Sequence, residues 1–379
     1  MNLASDVVIA MSILSKVRRR ICTLVITHQC NLRCLYCYEK HKDNSSMSLA
    51  LAKEIIRNEF LRAEKSDHID ELEFDFLGGE PFLQFDLMRE VMEWCWSEPR
   101  SKPYLFSVTT NGTLFNAEIK NWLAANAARF KVVLSSDGLF QAQNINRSDS
   151  AAKIDYPFFL EIFPEQAIKM TISPSSVQLF ASGVIELVEK GFLVTPSWAY
   201  GVVWRGCHIY EYKKQLMLIA EYFLRHPDLR IIPTLEKRLS AIYDTGEFMR
   251  MCGTGGMMTT YDVDGRAYPC HLFLPFISQM EYQKNLIPPY GSLIDARCVD
   301  CQLARICQPC YGFNNMENGN PTIRSSLFCL MSQCEITVAA WFVCKRVERA
   351  ITSGKVLSLS EKLEVKAALD ILDMPFKSL

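Results

Sequence analysis

The chain has 379 residues, with 41 basic and 42 acidic side chains and a formal net charge of -1. This length accommodates a large catalytic domain and a smaller one, and such balanced charge leaves no basic field to hold a phosphate backbone, so nucleic acid is not expected as a partner. No run of eighteen apolar residues occurs, so neither a transmembrane helix nor a membrane partner is expected.

Residues 1–20 form an amino-terminal extension, mildly apolar and then basic from Lys16 to Arg20. A secretion signal places its charge before its apolar stretch, so the order here points to the cytoplasm. Residues 21–27 read as a strand. Ser48 caps a helix in which Leu49, Ala52, Ile55, Ile56 and Phe60 recur on one face. Residues 72–77 alternate apolar and acidic side chains, as a strand does. A helix over 85–96, a strand over 104–109, a helix over 117–128 and a strand over 132–134 follow. Strands over 168–172 and 192–197 flank a helix over 176–189. About six βα repeats over 21–235 imply a parallel sheet, doubly wound or curled into a partial barrel. Cys30, Gly78, Asn111 and Asp137 each come just after a strand, and in such folds the site gathers at the carboxyl ends of the strands. Residues 210–223 read as a helix leading onward. In residues 236–335 periodic apolar runs fade, and eight cysteines crowd in with Gly, Pro and Asn between Cys252 and Cys334. That stretch is expected to bury little core for its length and to draw folding energy from metal. The tail over 336–379 begins with a helical pattern, 336–350.

Fifteen cysteines are many for a chain of this length. Their short spacings and the absence of a signal pattern favour metal ligation in a reducing compartment over a disulfide framework. In His28-Gln29-Cys30-Asn31-Leu32-Arg33-Cys34-Leu35-Tyr36-Cys37-Tyr38, three cysteines are separated by three and then two residues. A cubane has four irons, each wanting a terminal ligand, so three thiolates leave one iron open to a substrate or cofactor. A zinc site is the alternative, with His28 or His41 as the fourth ligand.

This motif resembles that of the radical S-adenosylmethionine (SAM) superfamily, down to the Asn after the first cysteine and the aromatic residues around the third. The resemblance implies a partial (β/α)6 TIM-like barrel. It also implies a [4Fe-4S] cluster on Cys30, Cys34 and Cys37 whose open iron chelates SAM, and reductive cleavage of SAM to a 5'-deoxyadenosyl radical that abstracts hydrogen from substrate. An electron donor such as flavodoxin or ferredoxin is implied as a partner. Tyr36 belongs to the cofactor-binding set by the same resemblance. Gly78-Gly79-Glu80-Pro81 corresponds to the segment that meets the methionyl amino group, its glycines allowing close backbone approach. Asn111 follows the third strand, Ser135 and Asp137 correspond to positions near the ribose, and Arg147 to an arginine near the methionyl carboxylate.

The later cysteines resemble the SPASM extension of peptide-modifying members. The implied ligands are Cys252, Cys270 and Cys310 for one auxiliary [4Fe-4S] cluster and Cys298, Cys301, Cys307 and Cys329 for a second, with Cys334 a fourth ligand of the first or a bystander. Cys-x2-Cys pairs suit a zinc ribbon too. The gap between Cys307 and Cys310 holds two residues where many relatives have three. Cys22, Cys95, Cys207 and Cys344 have no motif partners and are expected to be buried as small hydrophobes.

Relatives with this extension mostly act on polypeptides, so a precursor peptide or protein is the expected substrate. Sulfatase-maturing members carry an acidic residue where this chain has His271, which lowers that reading; His271 is a base near neutral pH or a structural histidine. With about twenty residues before the first strand, a winged-helix leader-binding domain is not expected. The favoured expectation is a precursor-peptide maturase that forms an intramolecular crosslink of cyclophane type. Sulfatase maturation or another side-chain oxidation is the second reading, and a zinc-stabilised binding module without turnover is a third.

Overall fold

The computed structural model describes residues 17–245, 252–278, 287 and 294–375; residues 1–16 of the expected extension lie outside them. Strand β1 (Arg19–Thr27) is followed by helix α1 (Leu49–Glu64), β2 (Glu71–Gly78), α2 (Phe85–Ser97), β3 (Tyr104–Thr110), α3 (Ala117–Asn126) and β4 (Phe130–Leu134). Two short helices, α4 (Phe140–Asn146) and α5 (Tyr156–Ile162), precede β5 (Ala167–Ile172), α6 (Phe180–Glu189) and β6 (Leu193–Trp198). Strands β1 to β4 pair parallel, each with its sequence neighbour, and β5 pairs parallel with β6. A parallel bridge between Ser135 and Lys169 joins the two groups. The result is a parallel α/β sheet curving as an open barrel, as the repeats predict.

The strand pattern explains the layering. On β2, Leu72, Phe74 and Phe76 are buried, and they alternate with Glu71, Glu73, Asp75 and Leu77. The first set packs outward with Phe60 of α1 and Phe106 of β3 in an aromatic core. The second set faces the barrel interior. Ser48 caps α1 as expected, its Oγ accepting from the Leu51 N–H at 3.2 Å.

Helix α7 (Gly206–Arg225) leads into the cysteine-rich half. There β7 (Met258–Tyr261) pairs parallel with the free edge of β1, and β8 (Ala267–Tyr268) pairs antiparallel with β7. Short helices α8 (Pro275–Ser278) and α9 (Tyr311–Asn318) precede two longer ones, α10 (Ser326–Thr352) and α11 (Leu359–Leu372). The expectation that this half buries little core is corrected. Leu272, Phe273, Leu274, Tyr311, Phe313, Phe328 and Met331 join the main core. They sit in short turns and helices whose length hides any period.

Helix α10 also begins ten residues before the helical pattern does. Its 27 residues are long and apolar enough to cross a membrane by length and composition. Half of its most apolar window is buried inside the protein, with Met331, Val338 and Phe342 in the core. Cys22 and Cys95 are fully buried, as expected. Cys207, in the first turn of α7, is exposed and Cys344 is half-buried, which corrects the expectation for both.

Candidate active site

The chain leaves β1 at Thr27 and carries Cys30, Cys34 and Cys37 across the carboxyl ends of the strands. The β2 turn fixes this loop from below. Gly79 N–H donates to the Thr27 carbonyl at 3.0 Å and Glu80 N–H to the Gln29 carbonyl at 2.8 Å. A Cβ on Gly79 would lie 2.2 Å from the Gln29 oxygen and 2.8 Å from the Cys30 Cβ, and one on Gly78 would lie 2.4 Å from the Thr27 oxygen. Glycine is needed here for the close approach of two backbones. At the other end the Leu35 N–H donates to the Asn146 carbonyl at 2.8 Å. Asn31 is held between Thr113 and Asn111 at 2.8 and 2.9 Å.

His28 does not face the thiols. Its Nε2 meets Asp262 at 2.7 Å and its Nδ1 meets Asp43 at 3.0 Å. Burial opposes its charge, but the two carboxylates outweigh burial and raise its pKa. Both ring nitrogens are thus occupied, which removes His28 as a convenient zinc ligand.

Glu80 is 1% exposed. Its carboxylate accepts from the Phe82 N–H at 3.1 Å, the Thr110 hydroxyl at 2.7 Å and the Asn111 N–H at 2.8 Å. Burial raises its pKa against these three bonds. A carboxylate has room for about four donors, so one lone pair remains for a ligand.

Asp137 is the hub of a buried network. Tyr36 donates its hydroxyl to the carboxylate at 2.8 Å, Asn146 its side-chain amide at 2.9 Å and Arg147 its Nε at 3.0 Å. Burial opposes the Arg147 charge, but Asp137, Tyr36 and Cys34 raise its pKa.

Cys30, Cys34, Cys37, Tyr36, Gly78, Gly79, Glu80, Asn111, Ser135, Arg147 and His271 all line one cavity of about 350 Å³. Asp137, expected near the ribose, lies behind Tyr36 and Arg147 and does not line it. Burial pushes the Cys34 thiol up to about 11 and raises Cys30 and Cys37 as well. Three thiols kept protonated by burial, facing shared space, fit ligands that shed their protons on binding metal.

The far wall of the cavity comes from the cysteine-rich half. Cys310 reaches it, as do His271 and Leu272. Cys252, Cys270 and Cys310 act electrostatically on one another, so the structure brings these three together. Cys298, Cys301, Cys307 and Cys329 form a second such group. Cys334 belongs to neither: its charged neighbours are Lys213 and Glu335. Among the described residues no three His, Cys, Asp or Glu side chains gather tightly enough to hold a single metal ion. His271 packs 5.8 Å from Tyr38, and burial, then Lys169, pushes its pKa down to about 4.

Several lining residues carry no motif. Lys169 projects into the cavity from the middle of β5, with Thr171 on the same strand, Trp198 at the end of β6 and Tyr200 two residues beyond it. A lysine between two apolar positions of a buried strand was the available signal. Glu39 and Lys42 also line the cavity and pair at 3.6 Å.

Residues 24–137 match the model of the Radical SAM superfamily. The chain is 32% identical over 116 residues to the uncharacterised protein MJ0907 of Methanocaldococcus jannaschii, 31% of this chain and 38% of that one. It is 24% identical over 336 residues to the radical SAM cyclopropyl synthase TigE of Paramaledivibacter caminithermalis, 78% of this chain and 69% of that one. Among solved structures, anSMEcpe with bound AdoMet and the Cp18Cys peptide superposes with a TM-score of 0.67 at 18% identity, over 89% of this chain and all of that one. SuiB of Streptococcus suis bound to S-adenosylmethionine superposes with a TM-score of 0.57 at 18% identity, over 82% of this chain and 77% of that one. The domain match lies on the segment that runs from β1 through the cysteine loop to Asp137, the solved structures share the fold, and the chain spans 38% of the length of MJ0907 and 69% of that of TigE.

Proposed function

We propose that this enzyme modifies a precursor peptide and forms an intramolecular crosslink in it. The observation that carries the reading is the shared cavity, where the three-thiol loop and the wall bearing His271 and Cys310 face each other. A hydrogen-abstracting centre and a group that accepts the leftover electron need such an arrangement on either side of a substrate. Cys30, Cys34 and Cys37 would hold a [4Fe-4S] cluster, with Gly79, Glu80, Asn111, Ser135 and Arg147 arranged around bound SAM. When bound, cluster and SAM supply a 5'-deoxyadenosyl radical. Tyr36, Asn146 and Arg147 fix the Asp137 network and with it the loop through Leu35. Glu80 orients the β2 turn and offers its free lone pair to an ammonium group. Trp198 and Tyr200 exclude water from the space between the two walls. His271 faces this space as a neutral imidazole that can accept a hydrogen bond from substrate, and Glu39, which burial pushes up to about 7, is the lining group better suited to take a proton.

The later cysteines fit a SPASM module: Cys252, Cys270 and Cys310 for one auxiliary cluster, and Cys298, Cys301, Cys307 and Cys329 for the other. The second is the better furnished, having four thiols. TigE supports ring formation, since its name describes closure of a cyclopropyl ring, a carbon–carbon bond. SuiB supports a precursor-peptide substrate, having been solved with its precursor SuiA. The anSMEcpe likeness keeps side-chain oxidation as the second reading, because that protein was solved with a cysteine-named peptide; His271 in place of a carboxylate speaks against it. A one-electron donor of flavodoxin or ferredoxin type would supply the reducing electron.

The test is anaerobic reconstitution followed by assay of 5'-deoxyadenosine, then co-expression with a short peptide encoded beside the gene and mass spectrometry of that peptide. The expected results are SAM cleavage that disappears in the triple variant Cys30→Ala, Cys34→Ala, Cys37→Ala, and a peptide lighter by two hydrogens with both sites on one chain. Cleavage that survives the triple variant rejects the cluster assignment. A peptide that loses mass at one side chain alone rejects crosslinking in favour of oxidation.

A further inference from the structure

Arg324 lies in the loop between α9 and α10, and its backbone is clamped at both ends. Its N–H donates to Asp295 Oδ2 at 2.8 Å, and its carbonyl accepts from Arg297 Nη2 at 2.6 Å. Arg297 also grips Asp295, Nη2 to Oδ2 at 2.6 Å and Nε to Oδ1 at 3.1 Å. The Arg297 bond, and then the Arg324 and Arg297 N–H groups, hold the Asp295 carboxyl well below its usual range despite burial. Asp295 is therefore committed to the loop backbone and to Arg297.

The Arg324 side chain turns the other way. Its Nη1 donates to Cys307 Sγ at 2.9 Å and its Nη2 approaches Ser332 Oγ at 3.5 Å. Among the described residues no carboxylate lies within ion-pair distance of this guanidinium. Its polar partners are the Cys307 sulfur and the Ser332 hydroxyl, both uncharged in the metal-free chain. A half-buried guanidinium that no carboxylate faces is left short of a counter-charge, which an anion beside it would supply. Neutral thiols do not provide that charge. Four thiolates around an iron–sulfur core do: such a cluster is a dianion, and a trianion after taking up one electron.

We propose that Arg324 is a positioning residue of the four-cysteine cluster, donating a hydrogen bond to the Cys307 thiolate and raising the cluster's reduction potential. The proposal rests on the cluster assignment given above. Reduction moves one electron from an external reductant onto the cluster; no bond breaks, and Arg324 keeps its protons. A fixed cation stabilises the trianion more than the dianion, so reduction becomes easier. Arginine suits this role because its planar fork stays protonated and is fixed in orientation.

The experiment is a dithionite titration monitored by electron paramagnetic resonance. It uses the full chain carrying Cys30→Ala, Cys34→Ala and Cys37→Ala, with and without Arg324→Gln or Arg324→Lys. Adding Cys298→Ala identifies the signal of the four-cysteine cluster by its loss. Arg324→Gln is expected to make that cluster at least tenfold harder to reduce, about 59 mV lower for a one-electron couple. Arg324→Lys, which keeps the charge and loses the fixed fork, is expected to fall between. A midpoint equal to that of the parent in both variants overturns the proposal. Should Arg324→Gln fail to retain iron, Arg324→Lys alone decides. Cys298→Ala that removes neither iron nor any signal rejects the cluster assignment itself, which is a different outcome from an unmoved midpoint.

Discussion

Glu80 and Asp75 sit five residues apart on one strand and its turn, yet their surroundings ask opposite things of them. Glu80 is met by three donors, two of them backbone N–H groups. In Glu80→Gln the amide NH2 must oppose one of those donors. The variant is expected to lose about 1–3 kcal/mol of stability, the cost of an unsatisfied buried group, seen as a lower midpoint in urea unfolding of the metal-free chain. An unmoved midpoint would mean that the three bonds contribute nothing net. Asp75 faces the barrel interior, where burial pushes its pKa up to about 7 against the 3.0 Å bond from the Ser107 hydroxyl. Folding then favours the protonated carboxyl. Its contribution is complete below pH ~4, where the unfolded chain is protonated as well, and is lost as pH rises toward about 7. Asp75→Asn should therefore gain on the parent across that window, measured by unfolding at pH 5 and pH 8; equal differences at both pH values would place the titration elsewhere. Residues carried by short spacings were legible in the sequence: the cysteine trio, Gly78-Gly79-Glu80, Ser135 and Arg147 all reach the cavity. Lys169, Tyr200 and Arg324 were not, because their meaning comes from partners far along the chain.

At the level of elements, close approach and helix phase decide which positions tolerate change. The β2 turn sits directly under the cysteine loop, so Gly79→Ala must push the Gln29–Cys30 backbone aside by several tenths of an ångström at least. Iron per chain is expected to drop in that variant by about one cubane, roughly four irons, and SAM cleavage with it. Full iron content would show that the loop yields without harm. On α10, Cys329 and Cys334 are five residues apart, which places them on different faces of the helix. Cys329 joins Cys298, Cys301 and Cys307, while Cys334 packs in the core beside Lys213 and Glu335. Cys329→Ser is expected to lower iron content and Cys334→Ser to leave it unchanged; the reverse result would exchange their roles. The same phase argument shows what pattern reading captures. Long periodic elements such as α1, α2 and α7 were legible to within a few residues. The short helices α4 and α5 and the four-residue β7 are too brief to show a period. The first three turns of α10 are masked by the cysteines they carry.

Across the whole molecule, the two halves share one sheet. Strand β7 comes from the cysteine-rich half and covers the edge of β1 from Ile21 to Leu24. Beneath that seam lies a charge cluster with almost no solvent. Arg20 is 2% exposed and Glu59 1%. Arg20 meets Glu59 at 2.5 Å and spans the seam to the Gly256 carbonyl and the Thr259 hydroxyl, each at 2.9 Å. Tyr261 completes it by donating its hydroxyl to Glu59. Burial costs each ion, but their mutual attraction dominates: Arg20 is raised in pKa and Glu59 lowered. Glu59→Gln removes one charge and leaves Arg20 buried without compensation, an expected loss of about 3–5 kcal/mol. Because Arg20 bonds to both halves, the loss should appear as one transition moved to lower temperature rather than as early release of the cysteine-rich half. Differential scanning calorimetry separates the two outcomes: a second, earlier peak would mean that β7 docks without this cluster. A chain cut after residue 245 would expose the β1 edge, an unpaired row of N–H and C=O groups flanked by apolar side chains, and should aggregate where the full chain stays monodisperse. Were the fragment soluble and folded, the sheet would not depend on β7, and the wall carrying His271 and Cys310 would be free to move relative to the cysteine loop.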